Sequence, residues 1–317
     1  MSSAKPPFQT KILLYGRAAL EQAAALIREG QAVAVPTETV YGLAADATSP
    51  EAVARIYAAK GRPSFNPLIV HIASMDMARR IARFSPLAEE LAGRFWPGPL
   101  TLVLPLQEDS GIASLVTAGL PTIALRYPHH GAMQALIRES DRPLAAPSAN
   151  ASGAISPRRA EHVMASLGGR IPLILDAGPT EHGLESTIVA PETGLIRLLR
   201  PGPVTAEMLT RIMKCPVIGA QGDKIEAPGQ LLSHYAPSKR VRLNAKAARK
   251  GEYLIGFGDM PCDYNLSETG KVEEAAARLF DALHIADAST AKAIAVAPVP
   301  EEGLGVAIND RLKRAAA

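Results

Sequence analysis

Residues 32–43 read Ala-Val-Ala-Val-Pro-Thr-Glu-Thr-Val-Tyr-Gly-Leu, and this stretch determines how the rest of the chain is interpreted. The apolar residues 32–35 predict a short buried strand, which Pro36 ends because proline lacks the backbone N–H that a sheet requires. Hydroxyl and carboxylate side chains follow at once, at the strand end where open α/β sheets place their ligands. The stretch therefore indicates an α/β sheet with a site for a small polar ligand, and a hydrogen-bonded turn is the simpler alternative.

Strand-like and helix-like segments alternate along the remainder of the chain, which favours an α/β architecture. Apolar residues at helical spacing predict a helix over 18–28. Ser49-Pro50 and Ser156-Pro157 each place an N-cap residue before a proline, and they predict helices that run to Lys60 and to Gly168. Further buried strands are predicted at 68–72, 100–104, 122–126, 144–146, 173–176, 186–189 and 196–199.

The composition of the chain changes after Met213. Residues 214–238 are rich in glycine and proline and show little periodicity, which is typical of an interdomain linker. The predicted elements beyond them are strands at 241–243, 252–257 and 293–297 and helices over 272–286 and 306–314. The chain is therefore expected to have a larger domain at 1–213, a linker at 214–238 and a small α/β C-terminal domain at 239–317.

Length and composition exclude several classes of protein. Of the 317 residues, 47% are hydrophobic and 21% charged, which is ordinary globular composition. A net charge of +3 without a basic stripe argues against a large surface for nucleic acid, so tRNA binding is expected to be weak at most. Cys215 and Cys262 fit neither a metal motif nor a disulfide framework, and no apolar run approaches the roughly 20 residues of a membrane span. A cytoplasmic protein without a protein-held metal or a membrane partner is expected.

Two cations lie close together on a stiff loop. Lys60 and Arg62 flank Gly61 and precede Pro63, at the end of the predicted helix. Arginine binds phosphate oxygens through its planar fork and lysine does so as a point charge, so the pair suits a polyphosphate. Lys60 taken alone is better explained as a cation that offsets the helix dipole.

Other polar residues fall at the ends of predicted strands. Arg126 and Arg200 each end an apolar strand, and small hydroxyl and amide residues fill 146–153. That last stretch suits phosphate or ribose oxygens, and a turn stabilised by its own side chains explains it equally well. If the strand ends converge, the arginines join the two loop cations in one site that suits a nucleoside triphosphate and a carboxylate.

Several motifs occur in the order seen in one enzyme family. They are Pro-Thr-Glu-Thr-Val-Tyr-Gly-Leu at 36–43, Lys-Gly-Arg-Pro-x-x-Asn-Pro-Leu-Ile-Val-His at 60–71, Trp-Pro-Gly-Pro-Leu-Thr at 96–101, Thr-Ile-Ala-Leu-Arg at 122–126, Ala-Pro-Ser-Ala-Asn at 146–150, Glu-Ser-Thr-Ile at 185–188 and Leu-Leu-Arg-Pro-Gly at 198–202. Over residues 16–213 the chain thus resembles the YrdC-type threonylcarbamoyl-AMP synthases. Pro228-Gly229, His234-Tyr235-Ala236-Pro237 and a final Gly-Leu-Gly-x-Ala-Ile-x-Asp-Arg-Leu at 303–312 are similar to the two-domain version of that family.

The resemblance implies a fold and a reaction. The fold is a YrdC-like twisted open sheet with flanking helices, followed by a small Rossmann-like α/β domain. The implied enzyme is a nucleotidyltransferase, an L-threonylcarbamoyladenylate synthase that converts L-threonine, bicarbonate and ATP into threonylcarbamoyl-AMP and pyrophosphate for N6-threonylcarbamoyladenosine in tRNA. Mg²⁺ is expected to arrive with ATP, and a tRNA threonylcarbamoyl-transferase system is expected to take the product.

The resemblance also assigns roles to individual residues. Contacts with L-threonine are implied at Thr39, His71, Arg126, Ala146 (through its backbone) and Ser186. Contacts with ATP are implied at Lys60, Arg62, Asn66, Thr122, Ser148, Ser156, Arg200 and Tyr235. Lys60 and Arg62 are the implied catalytic residues because they would neutralise the phosphates, and Tyr235 is expected to close over the nucleotide.

Two other functions fit the same residues. One is a non-catalytic RNA-binding or translation-associated module of the same fold that uses the cationic concavity without chemistry. The other is an enzyme that transfers a carbamoyl group to a different acceptor, because Arg126 and His71 indicate an amino-acid carboxylate site without specifying threonine.

Overall fold

Two β-sheets organise residues 7–63, 66–219, 226–228 and 235–317, which are the residues that this computed structural model describes. A mixed sheet of eleven strands has the order β1-β8-β2-β3-β7-β4-β6-β5-β9-β10-β11, and a sheet of four strands has the order β12-β15-β13-β14. The strands are β1 Lys11–Leu14, β2 Val33–Pro36, β3 Tyr41–Asp46, β4 Ile69–His71, β5 Leu100–Pro105, β6 Thr122–Arg126, β7 Leu144–Ala145, β8 Leu173–Asp176, β9 Thr187–Glu192, β10 Leu195–Arg200, β11 Val217–Gly219, β12 Arg240–Arg242, β13 Glu252–Gly256, β14 Tyr264–Asn265 and β15 Ala293–Val296. The helices are α1 Arg17–Arg28, α2 Pro50–Lys60, α3 Met75–Ile81, α4 Pro86–Phe95, α5 Ser114–Thr117, α6 Gly131–Ser140, α7 Ala160–Leu167, α8 Ala206–Met213, α9 Val272–Ala288 and α10 Leu304–Ala315.

The capping signals predicted one helix start correctly and one wrongly. Ser49 caps α2 by accepting a hydrogen bond from the Ala52 N–H, and Gly61 ends the helix in the left-handed conformation (φ 61°). Helix α7 begins at Ala160, with Arg159 rather than Ser156 at its N-cap. The Ser156 hydroxyl is instead buried and donates to the Glu185 carboxylate, so a tertiary contact replaces the expected cap.

A hairpin at the first motif contains a strand that the sequence analysis did not predict. Strand β3 runs antiparallel to β2, with Pro36 opposite Tyr41 and Val35 opposite Gly42. The chain therefore turns at 37–40 and re-enters the sheet. Because the turn lies at the sheet edge, its threonines and its glutamate are held between two fixed strands.

Parallel pairing of β4 with β6 brings two candidate site residues together. His71 lies opposite Arg126 in the register, at the carboxyl ends of both strands. Strand β9 runs parallel to β5 beside them, with Thr187 opposite Leu100. Together with the antiparallel pairs β5–β6 and β9–β10, this places the ends of β4, β6 and β10, which carry His71, Arg126 and Arg200, on the same side of the large sheet.

The large sheet is buried on both faces, which explains its nearly continuous apolar strands. Ala34 and Leu43 face one hydrophobic cluster, and Val33, Val35 and Ala44 face another on the opposite side of the sheet. No helix in the described ranges has both the length and the apolar character that crossing a bilayer requires.

The region predicted to be a linker begins with ordered structure. Residues 217–219 form β11 beside β10, so the large sheet extends past Met213. The four strands that follow form an all-parallel sheet, which α9 and α10 cover. The motif residues Gly229 and His234 lie outside the described residues.

Helix α9 docks the C-terminal domain on the large domain. Its apolar residues share one cluster with Val40, Ile155 and Leu184 of the large domain. Beside this cluster the Asp281 carboxylate accepts from the Arg158 guanidinium at 2.6 Å, and both side chains are about nine-tenths buried. The two domains are thus joined by apolar burial together with a buried ion pair.

The variant Asp281→Asn tests how much that ion pair contributes to the stability of the protein. We expect it to lower the free energy of unfolding by about 3–5 kcal/mol, because the change leaves the buried Arg158 charge without its partner. Urea unfolding of the two proteins measures the difference. The matched control is Glu301→Gln, which removes an exposed partner of Lys313 and should cost at most about 1 kcal/mol. Equal, small losses in both variants would show that the pair does not hold the domains together.

Candidate functional site

A cavity lies at the edge of the large sheet where these strands end. Part of its wall is formed by unpredicted residues such as Thr37 and Glu185. The residues that the sequence assigned to a ligand and that line the cavity are Thr39, Arg62, His71, Arg126, Ala146, Ser148, Ser186, Arg200 and Tyr235.

Lys60 lies behind the cavity wall rather than on it. Its buried ammonium donates to the backbone carbonyls of Ser148, at 2.6 Å, and of Asn150. Burial, together with the nearby Arg62 charge, holds the pKa of Lys60 well below its usual value. The ammonium thereby fastens the loop that carries Ser148, and a contact of Lys60 with the phosphates of ATP remains a prediction.

Three further predicted contacts lie off the cavity wall. Asn66 is buried, and its backbone carbonyl accepts from Tyr57 and Arg62. Its side-chain oxygen has no hydrogen-bond partner within the described part of the chain. Thr122 begins β6 and is four residues from Arg126, about 13 Å along the strand. Ser156 is fully buried against Glu185. Contacts of these three residues with ATP remain predictions.

Arg126 is fixed from three sides. Its guanidinium donates to the Thr39 hydroxyl at 2.8 Å and to the Gly98 carbonyl at 3.3 Å, and it pairs with the Glu38 carboxylate at 2.8 Å. Burial is the largest single effect and raises the pKa of Glu38, but the Arg126 charge and the hydrogen bonds from Arg126 and the backbone together outweigh it, so the pKa lies below its usual value. Glu38 is therefore an ionised counter-charge that holds the arginine in one orientation, whereas the sequence suggested it as a partner for a small polar ligand.

The turn at 37–40 orients the Thr39 hydroxyl. The Thr37 hydroxyl oxygen accepts from the backbone N–H groups of Thr39 and Val40, at 3.1 and 3.2 Å. The two threonine hydroxyls also lie 2.8 Å apart. Because Arg126 donates to the same Thr39 oxygen, the turn and the arginine form one pre-organised unit.

His71 is a neutral imidazole at physiological pH. Burial, reinforced by the Arg126 charge, lowers the pKa of His71 to about 3. Its Nδ1 atom is buried and has no hydrogen-bond partner among the residues described. A neutral ring with a free polar atom suits hydrogen bonding to an amino acid beside Arg126.

Arg62 and Arg200 form no ion pair with a carboxylate among the described residues. The Arg62 guanidinium donates to the carbonyls of Asn66 and Pro67, and Arg200 donates to the Ser186 carbonyl at 2.9 Å. Burial is the main cause that lowers the pKa of Arg62 to about 10, and it lowers the pKa of Arg200 as well. Both pKa directions show that burial disfavours the charge, so an anion in the cavity would bind favourably to both groups.

Tyr235 brings the last part of the predicted linker to the cavity. The residue has positive φ (63°), is almost fully buried, and packs its ring against Phe280 with centroids 5.9 Å apart. The next residue, Ala236, donates to the Gly153 carbonyl at 2.8 Å. The segment is thus attached to the small-residue loop at 146–153 and contributes an aromatic wall.

Glu185 and Arg311 form a second ion pair at the site that the sequence did not reveal. The Arg311 guanidinium donates to the Glu185 carboxylate at 2.8 Å, although the two residues are 126 positions apart. Glu185 belongs to the motif at 185–188, but nothing in the sequence indicated that Arg311 is its partner. Among the described residues no group of three or more histidine, cysteine or carboxylate side chains could hold a metal ion.

The fold and this geometry define a class: an α/β protein whose large sheet ends in a buried, arginine-lined cavity. Residues 25–202 match the family described as "Telomere recombination", the Sua5/YciO/YrdC domain, and residues 204–317 match the family described as "Threonylcarbamoyl-AMP synthase, C-terminal domain". The chain therefore belongs to the Sua5/YciO/YrdC family, in the two-domain form.

Individual relatives agree with this assignment. The chain is 42% identical to the threonylcarbamoyl-AMP synthase of Bacillus subtilis, over 94% of this chain and 92% of that protein. It is 43% identical to the threonylcarbamoyl-AMP synthase of Pyrococcus abyssi, over 92% of each. The crystal structure of P. abyssi Sua5 complexed with L-threonine has a TM-score of 0.87 to this fold at 40% identity, and 97% of each chain is covered.

The neutral state of His71 predicts a pH dependence of stability. The unfolded chain binds a proton at His71 as the pH falls through about 6.5, whereas the folded protein does not until about pH 3. The protein should therefore become less stable as the pH falls. Between about pH 7 and pH 5, His71 should lower the free energy of unfolding by about 2 kcal/mol.

Denaturant unfolding of the native protein and of His71→Asn over that pH range measures this contribution. The variant should lose less stability than the native protein on acidification, and the difference between them should not change with pH above about 8, where histidine is neutral in both states. Parallel curves across the whole range would contradict a neutral, buried His71.

Proposed function

We propose that the protein is an L-threonylcarbamoyladenylate synthase, which makes threonylcarbamoyl-AMP and pyrophosphate from L-threonine, bicarbonate and ATP. The observation that carries this proposal is the division of charge around one cavity. Arg126 has a carboxylate counter-charge and lies beside the neutral His71, whereas Arg62 and Arg200 have neutral partners. A single amino-acid carboxylate suits the wall with Arg126 and His71, and a polyphosphate suits the wall with Arg62 and Arg200. The names of the relatives support the same reaction.

L-Threonine would bind at the wall formed by Arg126, Thr39 and His71. The arginine binds the carboxylate, and the histidine and the threonine hydroxyl bind polar groups beside it. The backbone N–H of Ala146 already donates to the Ile69 carbonyl at 3.0 Å, so Ala146 contributes its carbonyl as an acceptor. The Ser186 hydroxyl, 2.7 Å from the Thr101 hydroxyl, completes this wall.

ATP would place its phosphates against Arg62 and Arg200. The side chain of Ser148 faces the same cavity, and Lys60 acts through the loop that it fastens. Mg²⁺ would travel on the triphosphate, because Glu38 and Glu185 are both committed to arginines. Tyr235 would cover the nucleotide and exclude water.

The chemistry needs positioning more than proton transfer. Threonine's neutral amine and bicarbonate condense to an N-carboxylate with loss of water, and an oxygen of this N-carboxylate then attacks the α-phosphorus of ATP while the bond to pyrophosphate breaks. The nucleophile is already an anion, so no strong general base is required. Arg62 and Arg200 stabilise the charge that develops on the phosphates. The reaction is therefore a nucleotidyl transfer.

The product is a reactive mixed anhydride, so an acyl-transferring system that acts on tRNA must consume it. The proposed setting is the cytoplasm, as the sequence predicts. A purely RNA-binding module is less well supported, because Arg62 and Arg200 are 8% and 5% exposed and cannot reach an RNA backbone. No observation favours a different amino-acid acceptor.

Incubation of the purified chain with ATP, Mg²⁺, labelled bicarbonate and L-threonine tests the reaction. We expect a labelled adenylate, separated by chromatography, together with pyrophosphate. Both products should require threonine. If ATP is untouched with every amino acid while RNA binding is tight and steeply salt-dependent, the binding-module hypothesis replaces this one.

Arg62→Ala should reduce kcat/KM for ATP by about 10²–10³-fold, by analogy with the loss of one preorganised donor to a transition state. Initial-rate measurements of pyrophosphate release give this value. Arg55→Ala, on the same helix region but away from the cavity, is the matched control and should keep kcat/KM within about twofold of the native value. An unchanged kcat/KM in the Arg62 variant would remove Arg62 from the phosphate-binding wall.

A further inference from the structure

One side chain of the C-terminal helix α10 extends into the large domain and contacts residues of the cavity wall from behind. Arg311, on α10, is fully buried. Its guanidinium donates to the Glu185 carboxylate at 2.8 Å and to the Pro201 carbonyl at 2.9 Å. These partners adjoin Ser186 and Arg200, two residues that line the cavity. Arg311 therefore connects two segments of the large domain at the point where they meet the site.

The same guanidinium contacts the aromatic wall. Its central carbon lies 5.2 Å from the centre of the Tyr235 ring, within the range of a cation–π contact. Asp310, the neighbour on α10, pairs with Arg311 at 2.8 Å and balances part of its charge. Arg311 thus touches the carboxylate and the aromatic ring of the wall without lining the cavity itself.

Glu185 has two cations near it but pairs with only one. One carboxylate oxygen accepts from Arg311 and the other accepts from the Ser156 hydroxyl. Arg200 is close enough to influence the pKa of Glu185, yet its donors go to carbonyl oxygens and to Ser186. Without Arg311, the buried carboxylate would have Arg200 as its nearest remaining cation, and pairing between them would cancel the charge that the cavity offers to an anion.

We propose that Arg311 is a positioning residue for the nucleotide side of the site: by holding Glu185 and the Tyr235 ring, it keeps Arg200 available for phosphate. This role rests on the proposed function only in naming the phosphate-bearing ligand. The C-terminal domain thereby completes the site. The side chains of the threonine wall (Thr39, His71, Arg126 and Ser186) receive no hydrogen bond from Arg311 in the described structure, so the loss of Arg311 should affect the binding of the two ligands differently.

The test compares Arg311→Met, Arg311→Lys, Glu185→Gln and the double variant Glu185→Gln/Arg311→Met in the full chain. Calorimetric titrations with ATP and, separately, with L-threonine give the two dissociation constants, and thermal unfolding gives Tm. Arg311→Met should weaken ATP binding by about tenfold or more, while threonine binding changes by less than about threefold. Arg311→Lys should have an affinity for ATP between those of the native protein and Arg311→Met, because lysine keeps the charge but cannot bridge Glu185 and Pro201.

The double variant separates positioning from a general structural role. Because Glu185→Gln removes the carboxylate that would capture Arg200, the double variant should bind ATP more tightly than Arg311→Met alone. Arg158→Met is the matched control, since it breaks the other buried interdomain ion pair away from the cavity. It should lower Tm and leave the affinity for ATP unchanged.

Two results with the variants would overturn the proposal. One is equal weakening of ATP and threonine binding in proportion to the loss of Tm. The other is a double variant that binds ATP no better than Arg311→Met. Native protein that binds neither ATP nor inorganic tripolyphosphate would also overturn it, whereas native protein that binds ATP with these shifts but forms no adenylate would contradict only the proposed reaction.

Discussion

Positive charge buried at the edge of the large sheet is the constraint on which the rest of the site depends. Each buried cation must find partners inside the protein, because water cannot solvate it. Arg126 and Arg311 form ion pairs with Glu38 and Glu185, at 2.8 Å in both pairs. Arg62 and Arg200 have carbonyl oxygens as partners, which satisfy their donors but leave their charge. The cavity therefore has two different walls. The wall with Arg126 suits an amino acid, and the wall with Arg62 and Arg200 suits phosphate.

The hairpin and the parallel strand pair make this division possible. The turn between β2 and β3 holds Glu38 and Thr39 against Arg126, and the register of β4 with β6 places His71 at its side. A neutral histidine is required there, since a second positive charge beside Arg126 would raise the cost of burying both. Catalysis by positioning and charge stabilisation needs such fixed groups, because they do not reorganise when charge develops.

Much of this arrangement follows from local sequence, and the exceptions have physical causes. The Ser-Pro signal correctly predicted where α2 starts, and the apolar run Thr122–Arg126 has the predicted bounds. The same signal failed at Ser156, because a buried carboxylate competes for that hydroxyl. Strand β3 was missed since its polar neighbours are typical of a loop. The inward direction of Lys60 depends on carbonyls about 90 residues away, which no local pattern encodes.

The ion pair between Arg311 and Glu185 shows why the two domains must be understood together. The threonine wall belongs wholly to the large domain, whereas the phosphate wall is supported by Tyr235 and by a side chain from the last helix. A large domain without that helix would retain Glu185 next to Arg200 with no competing cation, and its carboxylate would be a poor neighbour for a triphosphate. Docking of the C-terminal domain through α9 therefore does more than bury apolar surface. It brings the cation of α10 to Glu185, the carboxylate that the described residues place on the cavity wall and that would otherwise repel the nucleotide.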